Sequence, residues 1–211
     1  MKKILAFILV AVMAFSLVAC GTPAKDPANE GNEVEEVASS AVEILNNSLD
    51  KICEDLAVVF EAPADDVKGI FVGGYFSEDE TTAVSGGAGT TPIDVEDASV
   101  MFKMISLVSE DSFAKLDDSA IMYHMMNTNT CAISAMHVAD AANVDAVASS
   151  LKDSITTNMW SCGFPERYVV IKVGSYIVSA YGLTDYVNAV KAGVTATYGE
   201  SAVVVYDDIV E

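Results

Sequence analysis

The sequence predicts an α+β protein whose C-terminal half folds as a ferredoxin-like split βαβ sheet. Three observations lead to this prediction. Helical apolar patterns alternate with short β-branched runs, the elements of residues 120–211 follow the order β-α-β-β-α-β, and two right-handed crossovers join strands in that order most simply. A helical and loop-rich region at residues 33–119 precedes this α+β domain. The alternative is a single domain over residues 33–211.

Length and charge restrict the class of protein. The chain has 211 residues, of which 52% are apolar, and its 31 acidic against 11 basic residues give a formal charge of −20. At roughly 100–200 residues per domain, this length accommodates one domain or two small ones. So acidic a surface repels a phosphate backbone, and the sequence therefore predicts no nucleic-acid partner.

The first twenty residues are typical of an exported lipoprotein. Two lysines precede the unbroken apolar run 4–15, which is too short to span a bilayer and fits a secretory signal peptide. The motif Leu-Val-Ala-Cys that ends at Cys20 resembles the bacterial lipobox, in which the cysteine is acylated. We expect residues 1–19 to be removed. Cys20, carrying acyl chains such as palmitate, then anchors the protein to the outer face of the cytoplasmic membrane or cell envelope.

A flexible tether follows the anchor. Residues 20–32 combine Pro, Gly, Asn and charge without apolar periodicity. At about 3.3 Å per residue, the tether can hold a domain up to roughly 40 Å above the bilayer. Loss of the two lysines of the signal peptide changes the formal charge from −20 to −22. The acyl chains are the only membrane attachment that the sequence predicts.

The region before the α+β domain contains two predicted helices and a short strand. Apolar residues recur every three or four positions from Val34 to Val59, and Pro63 ends this first helix. The run 69–76 is predicted as a strand. A second helix begins at Asp94, and its apolar face is predicted to carry Val100, Met101, Met104 and Ile105.

The last six elements are defined by periodicity and turn residues. They are strands over 131–139, 168–173, 176–181 and 202–206, and helices over 143–160 and from Thr184 onward. Asn143 is the predicted N-cap of the first of these helices. Gly174 stands first in the turn between the second and third strands, where it permits the positive φ of a type II′ hairpin.

Four short motifs of this half resemble a known family. Asn143–Val147, Trp160, Pro165–Tyr168 and Val173–Val178 are similar to segments of bacterial lipoproteins that carry domain of unknown function 4358. The resemblance covers roughly residues 120–197. It implies an exported, lipid-anchored location and this fold, and it implies no reaction. An acidic residue often occupies the first strand in that family, where this chain has Ile133, so no role is carried over for that acid.

The segment 122–137 contains the residues that suggest a metal site. Both histidines of the chain, His124 and His137, lie there with several methionines, among them Met126. Thioether and imidazole ligands suit copper, and an exported protein could bind Cu(I) through them. The alternative is that the methionines fill irregular space in the core. No spacing pairs the histidines as ligands.

Aromatic residues after the helix 143–160 suggest recognition instead. Aromatic side chains with one exposed end often contact ligands, and Trp160 ends the helix while Phe164 falls in the following turn. The aromatic group predicted for recognition consists of Trp160, Phe164, Tyr168, Tyr176 and Tyr181. The alternative is that they pack beneath the helix–hairpin corner.

The cysteines that remain after acylation allow one disulfide. The strand that begins at Cys131 runs about 30 Å outward. The helix after it returns by about 27 Å. Cys162 is therefore predicted beside Cys131, in an exported protein where oxidation is permitted. The alternative is a pair of reduced cysteines packed as small apolar side chains.

Three functions remain open at this point. The leading one is a membrane-anchored lipoprotein, without catalysis or cofactor, that binds a small molecule or a protein. The second is copper handling by the segment 122–137. The third is an envelope hydrolase with an unrecognised acidic or cysteine site, although the sequence contains no Gly-x-Ser-x-Gly or Cys-x-x-Cys motif.

Overall fold

The protein is built around one antiparallel sheet with helices on both faces. The computed structural model describes residues 38–77, 81–82 and 95–211, which fall within one compact unit. In chain order its elements are α1 (Ala41–Phe60), α2 (Ala64–Lys68), β1 (Phe71–Ser77), β2 (Thr81–Thr82), α3 (Val95–Ser106), α4 (Glu110–Phe113), β3 (Leu116–His124), β4 (Cys131–Val138), α5 (Val144–Thr157), β5 (Arg167–Val173), β6 (Tyr176–Gly182), α6 (Thr184–Tyr198) and β7 (Ala202–Ile209). The signal peptide, Cys20 and the tether lie outside the described residues.

Within the described residues, the sheet has seven strands in the order β2-β1-β3-β4-β6-β5-β7, and all neighbours are antiparallel. The α+β class and the β-α-β-β-α-β order of the C-terminal half are confirmed. The strand order, however, differs from that of a ferredoxin-like sheet, in which the last strand lies beside the first. Here β7 pairs with β5 instead, and β3 occupies the position beside β4.

This strand order explains why helices cover both faces. β4 and β5 are parallel with β6 between them, and β6 and β7 are parallel with β5 between them. The two crossovers step in the same direction across the sheet but start from strands of opposite direction. Two right-handed crossovers therefore place their helices on opposite faces. As this rule requires, α6 packs with α1 in a first core and α5 packs with α3 in a second.

The strands alternate between these two cores. Cys131, Ile133 and Ala135 of β4 belong to the first core, whereas Ala132 and Met136 belong to the second. This is the two-residue period of a sheet that is covered on both faces. In the first core a glycine of α6 allows α1 to approach closely, because a Cβ on Gly193 would lie 2.6 Å from Cγ1 of Ile52.

Helix and turn boundaries follow local chemistry. The hydroxyl of Ser40 accepts a hydrogen bond from the backbone N–H of Glu43 at the start of α1, and residues 34–37 of the predicted helix lie outside the described residues. Gly174 has the positive φ, +62°, that the hairpin prediction requires. Asn143 precedes α5 as predicted but forms no capping bond. The carboxylate of Asp140 instead accepts from the N–H of Ala142 in the turn before it.

The predicted apolar face of α3 is right for Met101 and Ile105, which pack in the second core, and wrong for Val100 and Met104, which are 57% and 68% exposed. Phe102, which was not predicted on this face, is buried with Ile105. At 100° per residue, Val100 and Met104 lie on the side of the helix opposite Phe102 and Ile105, so they face away from the second core. None of the described helices is both long and apolar enough to cross a bilayer.

Candidate functional site

A pocket of about 300 Å³ opens on the α3 side of the sheet, where β3 ends and β4 begins. Elements distant in sequence meet there. α3 contributes one wall, the turn between β3 and β4 a second, and the segment after α5 a third. The residues that line the pocket are the aromatic Tyr123, Trp160 and Tyr181, the apolar Met101, Met104, Ile105 and Leu107, and the polar Thr128, Asn129 and Asn158.

The aromatic wall is fixed in place by a hydrogen bond to α3. The rings of Trp160 and Tyr181 pack with centroids 5.0 Å apart and planes inclined by 53°. The hydroxyl of Tyr181 donates to the carbonyl oxygen of Ile105 at 2.8 Å. Burial raises the pKa of this phenol, so it stays protonated and keeps its donor at physiological pH. The wall is therefore held rigidly between β6 and α3.

Among the residues that the structure describes, none is a hydrogen-bond partner of the indole nitrogen of Trp160. Within the described part of the chain, Nε1 of Trp160 is the buried side-chain nitrogen or oxygen atom that has no hydrogen-bond partner. A buried donor without a partner costs about 1–3 kcal/mol, and native structures contain few of them. The residue that carries this unpaired N–H is also one of the residues that line the pocket.

The turn between β3 and β4 holds the segment that carries Trp160. Nδ2 of Asn129 donates to the carbonyl oxygens of Ser161 and Gly163 at 2.8 and 2.9 Å. Nδ2 of Asn127 donates to the carbonyl oxygen of Cys162 at 3.0 Å. These bonds join two loops more than thirty residues apart and set the position of the tryptophan just before them.

Unusual backbone conformations are concentrated around the pocket. In the described chain the non-glycine residues with positive φ are Glu61, Leu107 and Cys162, at 50°, 58° and 63°. Glu61 is an ordinary C-cap of α1. Leu107 lines the pocket, and Cys162 lies in the loop that follows Trp160. Leucine rarely adopts this conformation, and such strain tends to occur at binding and catalytic sites.

Of the five aromatic residues predicted for recognition, Trp160 and Tyr181 line the pocket. Tyr176 is buried in the first core. Phe164 is 74% exposed outside the pocket lining, and Tyr168 is buried in the second core. Sequence reasoning missed the contributions of α3 and of the β3–β4 turn. Met101 and Met104 carried a signal, since two adjacent methionines at helical spacing often form adaptable binding surfaces.

The two histidines proposed as metal ligands lie at opposite ends of the sheet. Asp118 of β3 pairs with His137, and His124 ends the same strand six residues later, about 20 Å away at the usual rise. His124 packs edge-on against Tyr186, and burial lowers its pKa. Met126 is 81% exposed.

The structure therefore does not bring His124, Met126 and His137 together. His137 is hydrogen-bonded through Nδ1 to the carboxylate of Asp117 and makes a ring contact with Tyr176. In the described ranges, no group of three or more His, Cys, Asp or Glu side chains is placed to hold a metal ion.

The predicted disulfide between Cys131 and Cys162 is absent from the structure. Within the described ranges, Cys53, Cys131 and Cys162 are free; Cys131 is fully buried and Cys162 is exposed. The predicted return of the chain does occur, because the carbonyl of Cys162 accepts from Asn127 just before β4. The side chain of Cys131, however, belongs to the first core, where burial raises the pKa of its thiol. The helix that precedes Cys162, α5, packs in the second core on the opposite face of the sheet.

Comparisons with known proteins add no relative. No family model, no curated protein and no solved structure matches the chain. The functional interpretation of the pocket depends on its own geometry.

Proposed function

We propose that this chain is an exported lipoprotein whose folded part is a non-catalytic module that binds a small molecule. Cys20 anchors it by acyl chains to the outer face of the bacterial cytoplasmic membrane or cell envelope. The proposal is supported by the apolar run 4–15, by the Leu-Val-Ala-Cys motif and by the resemblance to lipoproteins with domain of unknown function 4358. Repulsion between anionic headgroups and a chain of charge −22 favours a position away from the bilayer surface.

The observation that carries the binding role is the partnerless indole N–H of Trp160 beside a preformed pocket. A concave, largely apolar site with a few polar groups is the usual form of a small-molecule site. Strained backbone at Leu107 and the fixed ring of Tyr181 indicate a site that is shaped before the ligand arrives.

The same pocket favours binding over catalysis. Its described lining contains no carboxylate, imidazole, thiol or lysine that could transfer a proton or attack a substrate. The raised pKa of Tyr181 keeps that phenol from acting as a base near neutral pH. The polar groups that remain, on Thr128, Asn129 and Asn158, are neutral hydrogen-bonding groups suited to orienting a ligand.

Trp160 is the only tryptophan of the chain, so its fluorescence reports on this pocket alone. We would screen small metabolites and cell extracts of low molecular mass against the mature chain carrying Cys20→Ser. The proposal requires a saturable change in fluorescence and a raised melting temperature. The matched control, Phe164→Leu, removes a neighbouring exposed ring outside the pocket and should respond like the parent. If none of the metabolites or extract fractions changes the fluorescence of Trp160, the binding role is contradicted.

A further inference from the structure

We infer that the pocket takes a neutral, planar ring compound that carries a hydrogen-bond acceptor on its edge. This inference rests on the proposed binding function and names the class of ligand. It combines three properties of the described lining. The lining carries no charged side chain, its surface is formed by aromatic rings and thioethers, and its hydrogen-bond donors on Tyr123 and Trp160 have a weak acceptor or no acceptor.

The lining argues for an uncharged ligand. The described residues around the pocket include no Asp, Glu, Lys, Arg or His. The nearest cation along α3, Lys103, is engaged with Glu110 at 2.8 Å and lies over the ring of Phe113. An ion that enters such a site loses its water without gaining a counter-charge, which is costly. The acidic surface attracts cations to the protein but supplies no carboxylate within the pocket.

The shape and chemistry of the walls favour a flat ring. The rings of Trp160 and Tyr181 form one corner, and Tyr123 contributes a third ring. Aromatic surfaces bind other rings by offset or edge-to-face packing. The flexible thioethers of Met101 and Met104 lie on the α3 side, where they can adapt to the edge of a ring. A pocket of about 300 Å³ is at the small end of ligand sites and suits about one or two rings.

The donors of the pocket call for an acceptor on the ligand. Nε1 of Trp160 is a donor only and is buried without a partner. The hydroxyl of Tyr123 donates to the sulfur of Met101 at 3.9 Å, and a thioether is a weak acceptor. A ring nitrogen or a carbonyl oxygen at the edge of the ligand gives the indole N–H the partner that the protein does not supply.

The single tryptophan provides the measurement, because the chain shows one indole N–H cross-peak in a ¹H–¹⁵N spectrum. The probe is benzamide, which combines a flat ring with a carbonyl acceptor. Four comparison compounds vary the charge, the acceptor and the ring: benzoate is negatively charged, benzyltrimethylammonium is positively charged and has no acceptor, toluene has no acceptor and no charge, and cyclohexanecarboxamide has no flat ring. The protein is the mature chain carrying Cys20→Ser.

Benzamide should move the indole proton downfield in a saturable way, with a Kd of about 1 mM as expected for so small a compound. The four comparison compounds should bind at least about tenfold more weakly, a difference of about 1.4 kcal/mol. Equal or tighter binding of any of the four would overturn the ligand class while leaving the proposed binding function intact. A cross-peak that none of the five compounds moves would overturn the ligand class, whereas the binding function itself fails only if the metabolite screen also gives no response.

Two variants separate the pocket from the rest of the surface. Trp160→Phe keeps a ring but removes the donor, so saturation-transfer spectra should show benzamide binding weakened about five- to tenfold. Met104→Glu changes an exposed side chain, so it leaves the core intact and places a charge at the pocket. It should weaken benzamide and strengthen benzyltrimethylammonium. Unchanged affinity for both compounds in Met104→Glu would place the binding elsewhere.

Discussion

Tyr181 joins the sheet to α3, because its hydroxyl donates to the carbonyl oxygen of Ile105 at 2.8 Å while its ring packs against Trp160. One side chain therefore supports the pocket wall and fixes the helix that closes the pocket. The bond is buried, so it stabilises the fold and orders the site at once.

Tyr181→Phe should destabilise the protein by about 1–2 kcal/mol, because the carbonyl of Ile105 is left buried without that donor. Urea unfolding followed by circular dichroism measures this loss. Tyr123→Phe is the matched control, since the hydroxyl it removes meets only a thioether at 3.9 Å. If both variants lose the same free energy of unfolding, the hydrogen bond of Tyr181 does not stabilise the fold more than the weak contact of Tyr123.

Because α1 and α6 approach closely at Gly193, replacing this helical glycine by alanine is predicted to lower the stability rather than to raise it. Gly→Ala within an open helix stabilises by about 1 kcal/mol. Gly193→Ala should instead destabilise by about 1–3 kcal/mol, because the new Cβ would lie 2.6 Å from Ile52 Cγ1. Urea unfolding midpoints decide the sign. The exposed Ala192→Gly on the same helix should show the ordinary propensity cost, and a stabilised Gly193→Ala would contradict the packing described.

Asp207 predicts a specific dependence of stability on pH. Burial alone would raise its pKa, but hydrogen bonds from Lys191 and Arg167 outweigh burial and lower the pKa below its ordinary value. A carboxyl whose folded pKa is lowered stabilises the fold fully above its unfolded pKa, about 3.9, and loses that contribution as the pH falls through the lower folded value.

The variant Asp207→Asn should therefore be less stable than the parent near neutral pH, by about 1 kcal/mol for a partly exposed ion pair. The gap should close as the pH falls below about 4. Urea midpoints between pH 7 and pH 3 give the measurement. Asp153→Asn, which breaks the exposed pair with Lys152, is the control and should change little. A gap that persists unchanged at pH 3 would contradict the ionic origin.

The anchor is tested by fractionation. Cys20→Ser removes the proposed acyl acceptor, and we expect the protein to move from the membrane to the soluble fraction, since the sequence predicts no other attachment. Immunoblots of the two fractions provide the measurement, with Cys162→Ser as a control that leaves the anchor intact. Retention of Cys20→Ser in the membrane fraction would refute the lipobox interpretation.

Local chemistry made part of the fold predictable. The hairpin of β5 and β6 was evident because Gly174 and two β-branched runs specify it within about fifteen residues. β3 was not identified, because its centre is buried on both faces and shows no alternation. The place of β7 beside β5 depends on pairing between distant segments, and no local pattern distinguishes one sheet edge from the other.

Two aromatic residues of the pocket could be predicted from the sequence. Trp160 and Tyr181 belong to the aromatic group predicted for recognition, but the rest of the lining comes from α3, from Tyr123 of β3 and from the loops after α3, β3 and α5. The relation between Trp160 and Met101 or Ile105 arises only when α3 packs on the same face as α5. The two histidines show the opposite effect. His124 and His137 are close in sequence, but the fold separates them by the length of a strand.

The most direct test of the binding pocket is a crystal structure of the mature chain, carrying Cys20→Ser, grown with benzamide. We predict density for one flat ring beside Trp160 and Tyr181, with the amide oxygen about 2.7–3.2 Å from Nε1 of Trp160. Density for the compound elsewhere on the protein, with the indole N–H still lacking a partner, would contradict the proposed site.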